Sequence, residues 1–143
     1  MESGSITGKL LSKSGEVDAE EFYKAPITLL YFSAHWCGPC QKFTPVIADN
    51  YAKWNKDSKR VEIIFVTFDK KEDQFNDYYG KMPWLALPYQ DARIKTLAEK
   101  YEPEGIPFLC VINKKGDLLS DNGYETVMMK KEKAADEWAK LYK

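Results

Sequence analysis

Histidine and cysteine, from which many metal centres and nucleophilic sites are built, are scarce: one His and three Cys in 143 residues. Zinc usually asks for about four donors. Cys37, Cys40, Cys110 and His35 are all the chain holds of these two types, with no second Cys-x-x-Cys and no His-x-x-x-His. A zinc half-site completed by carboxylates stays open as an alternative, but the inventory weighs against it. Three cysteines are also too few to staple a small secreted scaffold, and the odd number leaves one without a partner in the chain. Charge of one sign is lacking too. With 21 Lys plus Arg against 22 Asp plus Glu, the net charge of -1 excludes a broadly basic nucleic-acid-binding surface.

No stretch approaches the ~20 consecutive apolar residues of a membrane-spanning helix. The segment Met1 to Gly8 has an acid at position 2 and no apolar run, so it does not read as a secretory signal. The expectation is a protein without nucleic-acid or membrane partners, located in the cytoplasm with the nucleus as the alternative. No repeat, low-complexity tract or linker interrupts the pattern, so residues 1–143 are expected to form a single domain, 1–9 without fixed structure, acting as a monomer. What is present is core material. Hydrophobic residues make up 44% of the chain, with 7 Phe, 9 Tyr and 4 Trp, which excludes a disordered chain.

Short apolar runs alternate with longer amphipathic stretches, the pattern of an α/β domain. Ile27 to Phe32 and Val61 to Phe68 are nearly continuously apolar and rich in β-branched and aromatic residues, as central strands covered on both faces require. Phe108 to Ile112 is a third such strand. It runs into the turn signal Asn113-Lys114-Lys115-Gly116-Asp117 and then Leu118-Leu119, which predicts an antiparallel hairpin. Phe43, Val46, Ile47, Tyr51 and Trp54 fall on one face of a helix that begins near Cys37 to Cys40, with a kink expected at Pro45. Shorter helices are expected over Glu72 to Tyr79 and Arg93 to Tyr101. A last one carries the stripe Ala134, Ala135, Trp138, Leu141 and Tyr142, and Lys130 to Lys133 reads as its solvated start.

Trp36-Cys37-Gly38-Pro39-Cys40 stands directly after an apolar strand and before an amphipathic helix. A thiol at a helix start faces unsatisfied N–H groups and the positive end of the helix dipole, both of which favour thiolate. In such settings a thiol pKa drops from about 8.5 to somewhere near 3.5–7.5. Cys37 is therefore expected to be the nucleophile, and Cys40, one turn on, the resolving thiol. Two inert buried cysteines are the bland alternative. Around the pair, Trp36 is expected to shield the nucleophile and offer a flat contact surface, with filling the core as the alternative. His35 either supports the thiolate or is simply solvated, and Cys110, alternating with apolar neighbours, is expected to be a core residue.

The motif Trp-Cys-Gly-Pro-Cys, with Gly105-Ile106-Pro107-Phe108 opening a strand some seventy residues later, resembles the thioredoxin superfamily. That resemblance implies a thioredoxin fold: a central, mostly parallel β-sheet with an antiparallel hairpin and helices on both faces. It also implies a cis Pro107 beside the cysteines and an Ile106 backbone that pairs with an extended substrate. The groove it implies is formed by Trp36, Gly38, Pro39, Ile106 and Pro107. The implied chemistry is dithiol–disulfide exchange on protein disulfides carried by Cys37 and Cys40, with no organic cofactor and no metal.

Tyr31-Phe32-Ser33-Ala34, Phe43-Thr44-Pro45, Leu11 to Val17 and above all Asp77 to Tyr89, with its Met82-Pro83-Trp84-Leu85-Ala86-Leu87-Pro88 run, resemble the tryparedoxin and nucleoredoxin branch. By that likeness Trp84 and Pro83 border the groove, an apolar loop packed over the core being the alternative. The likeness further implies protein clients such as peroxidases and, as electron donor, a low-molecular-weight dithiol or a reductase. The rival function is a non-catalytic, redox-sensitive binding module of the nucleoredoxin kind. Tyr31 occupies the place, six residues before the first cysteine, where ordinary thioredoxins carry a buried aspartate. Three departures from the branch stand out: Gly38 replaces its usual proline, Gln41 replaces an arginine, and Phe68-Asp69-Lys70 stands where tryparedoxins have Trp-Asp-Glu, the last two changing charge near the active face and so bearing on whether trypanothione is the donor.

Overall fold

The computed structural model describes residues 5–142. Its strands are β1 (Lys9–Ser12), β2 (Gly15–Asp18), β3 (Ile27–Ser33), β4 (Val61–Thr67), β5 (Leu85–Ala86), β6 (Phe108–Ile112) and β7 (Leu118–Ser120). They form one sheet in the order β2-β1-β5-β4-β3-β6-β7. β3, β4 and β5 are parallel at the centre, with Ile27 opposite Val61 and Ser33 opposite Thr67. β6 runs antiparallel to β3, β7 to β6, and β1 to both β5 and β2. The antiparallel share is thus larger than the single expected hairpin, because strands were added at both edges of the parallel centre.

The helices are α1 (Gly38–Trp54), α2 (Glu72–Tyr79), α3 (Ala92–Tyr101), α4 (Gly123–Lys130) and α5 (Ala134–Ala139), with short 3-10 segments at Ala19–Lys24 and Lys131–Lys133. Side chains alternate across the sheet with period two, and the core divides accordingly. Leu29, Tyr31, Ile63, Phe65 and Val111 pack beneath α1, α2, α4 and α5; Leu30, Phe32, Ile64, Cys110 and Ile112 pack against α3 and the Ala19–Lys24 turn. Because β3, β4 and most of β6 are buried on both faces, they carry no polar alternation, and the continuous apolar runs of the sequence follow from that.

α1 runs unbroken through Pro45, whose side chain is exposed. The last helix is shorter than its stripe. α5 ends at Ala139, and Tyr142 lies beyond it because its hydroxyl is held elsewhere: it accepts the Thr28 N–H at 3.0 Å and donates to Ile112 O at 2.7 Å. Lys130 ends α4 and Lys131–Lys133 form a separate turn rather than the start of α5. Of the segment 1–9 expected to lack fixed structure, 1–4 fall outside the described residues. Ile6 is buried and its N–H donates to the Tyr23 hydroxyl at 2.8 Å, so burial and a hydrogen bond hold this segment on the domain.

Candidate functional site

The cysteine pair sits where the parallel strand β3 hands over to α1. Cys37 is the N-cap: its backbone is extended (φ -94°, ψ 113°), and its sulfur accepts the Cys40 N–H at 3.3 Å. That contact meets one of the orphan donors of a helix start. Gly38 and Pro39 form the first turn, where the missing N–H of proline costs nothing. The geometry brings the cysteine Cα atoms to 5.2 Å, and the two are joined as a disulfide. Cys40 is fully buried, whereas Cys37 keeps 7% of its surface, so an attacking thiol reaches Cys37 first.

The Ile106-Pro107 peptide is cis, and Ile106 O lies 3.7 Å from Cys37 Sγ. Residues 69 positions apart are thereby joined in one surface, with Gly38 and Pro39 exposed beside Cys37 and Ile106 and Pro107 half-buried against it. Trp36 is 53% exposed on the other side. It is held by its indole N–H, which donates to Phe68 O at 3.1 Å, and Lys70 Nζ lies 6.0 Å from the ring centroid. Trp84 does not join this surface. It is 1% exposed, edge-on to Tyr31 and Tyr51 at 6.1 and 5.5 Å, and its removal from the groove corrects the expectation drawn from the likeness. An apolar ring of this size is more stable filling the core than facing water.

His35 is not a lone solvated residue. Its Nε2 is 3.4 Å from Asp77 Oδ2, and its ring stands edge-on to Tyr78. Its backbone does more: the N–H donates to Asp69 Oδ1 at 2.7 Å and the carbonyl accepts from Gln41 Nε2 at 2.5 Å. Asp69, buried, also accepts the Thr67 hydroxyl at 2.7 Å. The loop ahead of the nucleophile is therefore clamped by the β4–α2 connection. Asp69 is the one residue that Phe68-Asp69-Lys70 shares with Trp-Asp-Glu, and its local signal is the Thr-x-Asp spacing of a side-chain turn.

Beneath Cys40 lies a chain of buried hydroxyls. Tyr31 and Thr44 are 2.8 Å apart, Thr44 and Tyr78 2.6 Å, Tyr78 and Ser33 2.6 Å, and Thr44 donates to Cys40 O at 3.0 Å. Burial pushes the Tyr31 phenol far above its ordinary range. It stays protonated and neutral, so the position that holds an aspartate in ordinary thioredoxins contributes a hydrogen-bonding group and not a base. Cys110 is fully buried in β6, its thiol pushed up to about 12 by burial, and takes no part. Among the described residues no cluster of three His, Cys, Asp or Glu side chains could hold a metal, and no helix is long and apolar enough to cross a membrane.

A mixed sheet with a Cys-x-x-Cys pair capping the helix after a central strand, faced by a cis-proline, defines a thioredoxin-fold dithiol protein. The chain belongs to the Thioredoxin-like family, whose family model matches residues 26–118. It is similar to tryparedoxin of Trypanosoma brucei brucei, 47% identical over 105 residues covering 73% of this chain and 72% of that protein. It is likewise similar to bovine nucleoredoxin, 39% identical over 124 residues, which span 86% of this chain but only 28% of nucleoredoxin. The solved structure of tryparedoxin from Trypanosoma brucei superposes with a TM-score of 0.81 at 39% identity, covering 94% of this chain and 92% of that one.

Proposed function

We propose that this domain is a dithiol–disulfide oxidoreductase that reduces disulfides in protein clients, peroxidases among them, in the manner of a tryparedoxin. The observation that carries the reading is the placement of Cys37 Sγ at the head of α1, 3.7 Å from the carbonyl that borders the cis-proline. In the reduced protein the Cys37 thiolate attacks one sulfur of the client disulfide, forming a mixed disulfide and releasing the first client thiolate. Cys40, deprotonated, then attacks Cys37 Sγ; the second client thiolate leaves, and the Cys37–Cys40 disulfide holds the two-electron oxidation. A low-molecular-weight dithiol or a reductase returns the pair to the dithiol, and the cysteines themselves are the electron carrier. The expected setting is the cytoplasm or nucleus.

The likeness to nucleoredoxin over 86% of the chain favours one rival, a module that binds a partner according to the redox state of its thiols. Insulin-disulfide reduction with a dithiol donor separates the two. Turnover that disappears in Cys37→Ser supports the oxidoreductase, whereas a wild-type protein that shows no turnover, whichever donor is supplied, supports the binding module.

A further inference from the structure

We propose that the apolar groove running from the redox loop between α1 and α4 is the docking site for an extended segment of the client. That segment places a large apolar side chain two or three residues from its attacked cysteine, with an acidic residue next to it. The proposal rests on the reading that Cys37 exchanges with client disulfides, and it names what such a client must look like.

The groove has a volume of about 360 Å³, room for one large side chain, and Gly38, Pro39, Lys42, Phe43, Tyr124 and Met128 line it. Gly38 and Pro39 are the residues between the two cysteines, so the groove begins where a client sulfur would join Cys37. A strand advances about 3.3 Å per residue, so a side chain two or three positions along lies ~7–10 Å along the segment from that sulfur. Phe43 forms a buried floor. Tyr124 stacks obliquely on it with ring centroids 4.5 Å apart, yet remains 40% exposed, and Met128 is 39% exposed. Two large apolar side chains thus face water beside the reactive pair, where an apolar partner would cover them. Methionine adapts its shape, which suits a site taking Leu, Met or Phe rather than one residue alone.

The seating of α4 is specific. A Cβ at Gly123 would lie 2.5 Å from Leu109 O, so the helix start approaches β6 as only glycine allows, which brings the next residue, Tyr124, over Phe43. Lys42 is the one charged residue among those lining the groove; it is exposed and, among the described residues, forms no ion pair. A carboxylate on the client would meet it, and a lysine there would be repelled.

Stoichiometric exchange between the reduced Cys40→Ser protein and short peptides whose single cysteine is capped with thionitrobenzoate tests this. Cys37 takes the peptide sulfur, and the released thionitrobenzoate anion is read by its colour. A peptide with Leu two residues from the cysteine is expected to react about tenfold faster than its Gly counterpart, the effect of withdrawing part of a leucine side chain from water. That ratio is expected to fall to near one in the Cys40→Ser protein that also carries Met128→Glu. Separately, the preference for Asp over Lys beside the Leu is expected to reverse with Lys42→Glu, a surface change that leaves the core intact. Equal rates for Leu and Gly peptides, or a ratio that survives Met128→Glu, would overturn the groove while leaving the dithiol chemistry standing. If no peptide and no capped free cysteine exchanges with Cys37, the dithiol reading falls and the docking proposal with it.

Discussion

Asp69 Oδ1 accepts the backbone N–H of His35 at 2.7 Å, and through that bond a carboxylate at the end of β4 holds the chain two residues ahead of the nucleophile. Replacing Asp69 by Ala leaves two buried donors, the His35 N–H and the Thr67 hydroxyl, without an acceptor. A loss of about 2–3 kcal/mol in urea unfolding is expected, together with altered Trp36 fluorescence; Asn, which keeps one oxygen, should lose less. Equal losses for Ala and Asn, or none for either, would count against the clamp.

The buried Cys110 predicts a pH dependence. Its folded pKa, about 12, is raised, so its contribution to stability is complete below the ordinary thiol value and declines as pH rises from there. An unfolded thiol ionises near 8.5. Between about pH 8.5 and 12 the unfolded state therefore binds fewer protons, and stability falls by up to ~1.4 kcal/mol per pH unit. Cys110→Ala removes this slope, so the gap in urea stability between the two proteins should narrow by about 2 kcal/mol between pH 7.5 and pH 10. A gap that stays constant refutes the assignment. Tyr31 and Tyr51, raised by burial as well, add a further loss above their ordinary pKa in both proteins.

Thiol counting separates the three cysteines. The reduced native protein should show one thiol that alkylates readily, Cys37, titrating below about 8.5, while the buried Cys40 and Cys110 react fully only in guanidinium. More than one readily reacting thiol in the native state would contradict the burial of Cys40 and Cys110, and titration at about 8.5 would contradict the helix-start argument for Cys37.

Gly38 is compatible with proline: Cys37 ahead of it is extended, as the residue before a proline must be, and no atom lies within 4 Å of a Cβ built there. Gly38→Pro restricts the loop most in the dithiol form, which the cross-link does not hold. The reduction potential should move about 10–20 mV more negative in equilibrium with glutathione. No measurable shift would sever loop stiffness from redox poise.

Trp84 belongs to the core, so Trp84→Ala should cost about 3–5 kcal/mol in stability, while Trp84→Phe should leave the rate of disulfide exchange as it is. A Phe variant that folds fully but exchanges more slowly would return this ring to the reactive surface.

The legible parts of this protein were local ones. A strand buried on both faces must be nearly continuously apolar, and Ile27 to Phe32 and Val61 to Phe68 are, with only Thr28, Glu62 and Thr67 interrupting them. A thiol pair at a strand-to-helix junction needs only neighbouring residues to declare itself, so Cys37 and Cys40 stand out without any three-dimensional information. The cis peptide before Pro107 was reached through family likeness rather than through spacing.

What the tertiary structure decided depends on segments far apart in the chain. His35 meets Asp69 across 34 residues, and Cys37 meets Ile106 across 69. Trp84 lies in an apolar run that reads equally as surface loop or core, and the choice was made by the cavity left between Tyr31 and Tyr51. The groove between α1 and α4 depends on the close approach at Gly123, which no periodicity announces. The sequence by itself determined the reactive pair and the strands that carry it, since those follow from the chemistry of adjacent residues. The surface that would select a partner was settled only by packing, because it is assembled from chain segments brought together by the sheet.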